Sequence, residues 1–121
     1  MGVMLIAYFR YINMVFTING ENWILQFVRP NSEKLRRSDG VYTLGVTDNN
    51  AKTVSIARGM SDYMTNKVLC HELVHCYSFS YDCHIDMPTE EIIADFMSLY
   101  GRDIIYLADD IMSNVMERRY G

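Results

Sequence analysis

The strongest constraint in this chain of 121 residues is the run His71-Glu72-Leu73-Val74-His75. Residues four apart lie one above the other on a single helix face. Two imidazoles at that spacing can bind one Zn²⁺ at about 2.0–2.1 Å each, so the run must be a helix that presents both rings to one point. Glu72 sits beside the pair on the helix surface. From there a carboxylate reaches a metal-activated water without being a ligand and can take its proton.

A second helix carries the complement. Residues 89–100 are mostly apolar (Ile92, Ile93, Ala94, Phe96, Met97, Leu99, Tyr100), yet Glu91 and Asp95 share one of its faces at i, i+4, followed by Ser98 and Arg102. A polar stripe on an otherwise buried helix is costly unless something satisfies it. Two histidines leave a metal short of a third protein ligand, which Glu91 can supply. Asp95 can then accept the outer N–H of a ligand histidine and fix its tautomer. Glu90 and His84 are the alternatives for the third ligand. The other arrangement is an exposed Glu91 with an Asp95–Arg102 surface pair.

The remaining signals place these helices in an α+β domain. Val15–Ile18 and Trp23–Val28 flank Asn19-Gly20, a strong hairpin signal. Residues 31–38 read as a short helix. Residues 41–47 and 52–57 read as an antiparallel pair of strands around the turn residues Asp48-Asn49-Asn50. Ser61 or Asp62 caps the motif helix, which runs to about Phe79. Tyr81 to Pro88 is a loop. Gly101 reads as the C-terminal cap of the 89–100 helix. A last helix over 103–117 has Ile104, Leu107, Ala108, Ile111 and Val115 as its buried stripe. Strands first and helices afterwards is the segregated α+β pattern: a small antiparallel or mixed sheet packed against the motif helix, with further C-terminal helices.

Length favours a single domain over 1–121. Met14 as an alternative start would leave residues 1–13 as an N-terminal extension. The longest apolar run there, Val3–Phe9, is far short of a membrane span, and neither a basic leader with a small-residue cleavage site nor a myristoylation motif is evident. No membrane association is expected. A net charge of −4 and a pI near 5.2 argue against a nucleic-acid partner; the pairs Arg36-Arg37 and Arg118-Arg119 read as solvated. Three cysteines without framework spacing read as reduced thiols of a cytoplasmic protein. Cys76, Cys83 and His84 form a rival, second metal set.

His71-Glu72-x-x-His75 followed by Glu91-Ile92-Ile93-Ala94-Asp95 resembles the gluzincin metallopeptidases, which pair H-E-x-x-H with a downstream E-x-x-x-D helix. The short chain and the strands before the motif look like the small ImmA/IrrE-type enzymes found in bacteria, phages and mobile elements. Tyr81 stands where a metzincin would carry its third histidine. The resemblance spans residues 41–102. It implies a zincin-like fold, Zn²⁺ held by His71, His75 and Glu91, Glu72 as general base, Asp95 behind a histidine, and a peptide or protein substrate in the cytoplasm, that of the host if phage-encoded. Tyr77, Tyr81, His84 and Tyr100 are candidate oxyanion donors. The alternatives are a metal-stabilised, non-catalytic binding or regulatory protein and a structural or accessory phage-type protein.

Overall fold

A computed structural model describes residues 13–120. The suggested extension over 1–13 falls, but for Asn13, outside them. The described residues open with a hairpin. Strand β1 (Met14–Ile18) pairs antiparallel with β2 (Glu21–Val28), bringing Ile18 opposite Glu21 and Phe16 opposite Trp23. Asn19 and Gly20 both adopt positive φ, at 49° and 78°. Only such a turn matches the right-handed twist of the two strands, which is why Asn-Gly sits there. Along β2, Trp23 and Leu25 point into the core while Asn22 and Ile24 face outward, the alternation expected of a half-covered sheet.

β3 (Gly45–Asp48) and β4 (Thr53–Ala57) form an antiparallel pair, and β4 lies parallel to β2, with Leu25 opposite Val54 and Phe27 opposite Ile56. The four-stranded sheet therefore has the order β1-β2-β4-β3 and is mixed. β4 is central, and Val54, Ser55, Ile56 and Ala57 are all buried.

Two local expectations fail ahead of β3. The helix expected over 31–38 is a single 3₁₀ turn at Glu33–Leu35, capped by Ser32. The strand expected from residue 41 starts at Gly45. Residues 41–44 instead fold back on that turn: the Thr43 amide donates to the Leu35 carbonyl, and the Tyr42 hydroxyl donates to Glu33 at 2.7 Å. The anchor is Leu35, fully buried beneath them. Arg36 pairs with Glu33 and Arg37 with Asp39, so both arginines are spent within the loop.

Helix α1 (Asp62–Ser80) covers one face of the sheet. Ser61, not Asp62, is its N-cap, accepting from the Met64 amide. Ile18, Trp23, Leu25, Val54, Ile56 and Cys76 form the core, with Val68, Leu69, Leu73 and Phe79 of α1 packed against it. The far end of α1 is tied to the hairpin. The Trp23 indole donates to the Ser80 hydroxyl at 2.8 Å, and the Asn19 amide donates to the Ser80 carbonyl at 2.9 Å.

Helix α2 (Met87–Phe96) is capped by Asp86, with Pro88 in its first turn. The chain does not stop at Gly101. A single π turn, Met97–Gly101, carries the helix on into α3 (Arg102–Tyr120). Gly101 has no left-handed φ; it is buried, and a Cβ there would stand 2.8 Å from Met97 Cε. A glycine after an apolar helical run signals either a left-handed cap or a close approach, and here it is the second.

Burial differs too. On α2 the buried residues are Glu90 and Ala94, while Ile92 and Phe96 are exposed. On α3 every residue from Arg102 to Arg119 is exposed, including the stripe Ile104, Leu107, Ala108, Ile111 and Val115 expected to be buried. Periodicity announces an apolar face but not what covers it. Among the described residues, no helix is long and apolar enough to cross a membrane.

Candidate metal centre

α1 presents His71 and His75 one turn apart, their ring centroids 5.1 Å from each other. α2 lies alongside and delivers its carboxylates to the same place. Glu91 spans the two rings: one oxygen is 3.1 Å from His71 Nε2 and the other 3.0 Å from His75 Nε2. The two Nε2 atoms are 3.4 Å apart.

The outer nitrogens are occupied. His71 Nδ1–H donates to Asp95 Oδ1 at 2.9 Å, and His75 Nδ1–H donates to Glu90 Oε2 at 2.5 Å. A carboxylate can only accept, so each bond holds the proton on Nδ1 and leaves a lone pair on Nε2. Two lone pairs and two carboxylate oxygens then converge with no proton among them, an electrostatically unfavourable arrangement that a cation relieves. The spacing fits as well. Two nitrogens about 2.0–2.1 Å from one tetrahedral ion stand about 3.3–3.4 Å apart. His71, His75 and Glu91 could hold a metal ion, and among the described residues they are the one group of three such side chains that could.

Of Glu91, Glu90 and His84, it is Glu91 that the fold brings to the inner nitrogens. Neighbouring positions on a helix point about 100° apart. Glu91 faces the inner nitrogens, while Glu90, 1 % exposed, faces the outer nitrogen of His75. His84 lies in the exposed loop between α1 and α2 with a φ of 53° and joins no metal-holding group. Cys83 is exposed in that loop and Cys76 is buried in the core, so the rival set of Cys76, Cys83 and His84 does not assemble. Burial pushes the Cys76 thiol up to about 12.

Glu72 lies beneath the sheet edge, nearly buried. Its Oε1 accepts from the Thr47 hydroxyl at 2.8 Å, and its Oε2 is 3.8 Å from His71 Nε2. Burial raises its pKa above the ordinary carboxylate value; the Thr47 bond and the two histidines oppose that shift. Gly45 makes the close approach possible, since a Cβ there would lie 3.0 Å from Glu72 Cγ and 2.7 Å from Val68 Cγ1.

The cleft in front of this group is about 940 Å³ and runs between β3 and α1. Thr43, Gly45 and Val46 line one side, Lys67 and Val68 the other, and Ser98 the α2 side. None of the four expected oxyanion donors lines it. Tyr77 and Tyr81 stack on each other outside it, Tyr100 packs against Phe96, and His84 is in the loop. Thr47, Gly45 and Lys67 carried no signal in the sequence, because their roles come from β3 and α1 meeting edge to side. Glu90 did carry one, as the neighbour of Glu91, but in the wrong role.

Fold and site thus define an α+β domain with a preorganised His-His-Glu group able to hold a metal ion. Set against known protein families, curated proteins and solved structures, the chain matches none.

Proposed function

We propose that this protein is a zinc-dependent peptidase of zincin-like architecture, acting on a peptide or protein laid in the cleft between β3 and α1. The observation that supports it best is the convergence of one ligand atom each from His71, His75 and Glu91, the two Nε2 atoms at tetrahedral spacing, with each histidine held from behind by its own carboxylate. Nitrogen and carboxylate donors in this number suit Zn²⁺, and three protein ligands leave a fourth position open, as catalytic sites do. Bound there, Zn²⁺ would lower the pKa of a water to about 7 and polarise a peptide carbonyl.

The protein's own groups then do the proton work. Thr47 fixes one oxygen of Glu72 and turns the other toward the histidines. That oxygen takes the proton of the attacking water as the new carbon–oxygen bond forms. It gives the proton to the amine as the carbon–nitrogen bond breaks. Asp95 and Glu90 keep both imidazoles in the ligating tautomer and orientation throughout.

Two measurements test this. Elemental analysis of purified protein should find about one zinc per chain, lost in His71→Ala and His75→Ala. Glu72→Gln should keep the zinc and lose cleavage of a peptide library. Normal cleavage by that variant rejects the role of Glu72. Stoichiometric zinc without cleavage by the unmodified protein points to a metal-stabilised binding protein instead.

A further inference from the structure

α2, the π turn and α3 follow one another without a break, and as far as Arg102 they run antiparallel to α1. His71 meets Asp95, and five residues earlier Asn66 accepts from Arg102 at 3.0 Å. Past the π turn, Ile105 and Tyr106 border a groove with Cys70, Leu73, Val74 and Tyr77 of α1, and every residue from Arg102 to Arg119 is exposed. α3 is 19 residues long, about 28 Å at 1.5 Å per residue. Another of its faces carries an apolar stripe. Ile104, Leu107, Ile111 and Val115 lie along it, 38–61 % exposed, with Ala108 between them and Met112 and Met116 along its border. An exposed apolar helical stripe of this length marks an interaction surface.

The charges say which partner fits. Asp103, Asp109 and Asp110 occupy the first half of α3, and Arg118 and Arg119 its end. Asp103 and Arg118 are 15 positions apart, which at 100° per residue puts them within about 60° on the same flank of the stripe. A second copy of α3 laid antiparallel brings Ile104 opposite Val115 and Ala108 opposite Ile111. The small alanine receives the isoleucine. The same register leaves Asp103 two residues, about 3 Å of rise, from Arg118 of the copy, twice over by symmetry. A parallel pairing would instead leave Asp103 about 22 Å of rise from Arg118 of the copy, with no such charge pair.

We infer that α3 is a dimerisation helix: two copies of this chain associate through the stripe Ile104–Leu107–Ala108–Ile111–Val115, antiparallel, with Asp103 and Arg118 of the two copies paired at each end. Its apolar face is an isologous, self-complementary surface. None of the stripe residues belongs to the His71–His75–Glu91 group.

Light scattering behind size exclusion, and sedimentation velocity, on the full chain at about 50 µM test it. The expected mass is twice the 14.1 kDa of one chain. Ile111→Asp should give monomer with unchanged helical circular dichroism, since the side chain is exposed in one copy. Asp103→Arg should weaken association on the order of 10-fold or more by facing Arg118 with a like charge. Asp103→Arg with Arg118→Asp should restore it. An unmodified chain that is monomeric, its stripe covered by its own residues 1–12 or left open, overturns the proposal. So does a dimer indifferent to Ile111→Asp. A charge swap that fails to restore association overturns the antiparallel pairing.

Discussion

Gly45→Ala tests the join between sheet edge and motif helix. Gly45 has no left-handed φ, so alanine meets no backbone strain there. Strand propensity and the lower entropy of the unfolded chain would by themselves favour alanine by about 0.5–1 kcal/mol. The packing says the opposite. The new Cβ would lie 2.7 Å from Val68 Cγ1, against a comfortable carbon–carbon separation of about 3.5–4.0 Å. About 1 Å must be found by moving β3, Val68 or Glu72. Overpacking of this kind costs about 1–3 kcal/mol, which less the propensity gain leaves a net loss of up to about 2.5 kcal/mol. In a domain of this size that is a fall of up to roughly 12 °C in melting temperature. Urea and thermal unfolding measure it. Val68→Ala in the same chain opens the space, so the double variant should lose at least about 1 kcal/mol less than the two single losses summed. Because Glu72 Cγ and Oε2 are the next atoms in contact, at 3.0 and 3.2 Å, zinc content should hold while peptide cleavage falls about 100-fold, the usual penalty for a 1 Å displacement of a reacting group. A Gly45→Ala protein as stable as the original, or more so, refutes the reasoning.

Two further outcomes follow from the buried carboxylate and the three thiols. Glu90→Gln keeps the size of the side chain but removes the negative charge behind His75; zinc affinity by competition with a chelator should fall about 10–100-fold, and an unchanged affinity would show that the Glu90–His75 bond is not holding the ligand. In native protein at pH 8, Cys83 should be alkylated by iodoacetamide rapidly, being exposed, and Cys76 not at all until unfolding, because burial keeps its thiol protonated; mass mapping that finds Cys76 modified first would contradict the placement of the core.

Local chemistry made part of this molecule legible in its residues alone. Asn19-Gly20 dictates a hairpin because few other residue pairs tolerate two positive φ values in succession. The i, i+4 spacing of His71 and His75, and of Glu91 and Asp95, dictates which side chains share a face, because helix geometry does not depend on the rest of the chain. Those two spacings nominate His71, His75, Glu91 and Asp95 as one cluster, with Glu90, His84 and an exposed Glu91 left as alternatives. What tertiary structure alone decided is everything set by contacts distant in sequence. β2 chose β4 as a parallel neighbour, a pairing no local pattern encodes. Glu90 and Glu91 divided the outer and inner nitrogens of the histidines according to the crossing of α1 and α2, and a rotation of one residue would have exchanged them. Gly101 served close packing rather than a cap, and the apolar stripe of α3 was left outside the fold. An apolar period fixes the direction of a face relative to its own helix axis; only the lengths and crossings of the other elements determine what, if anything, meets it.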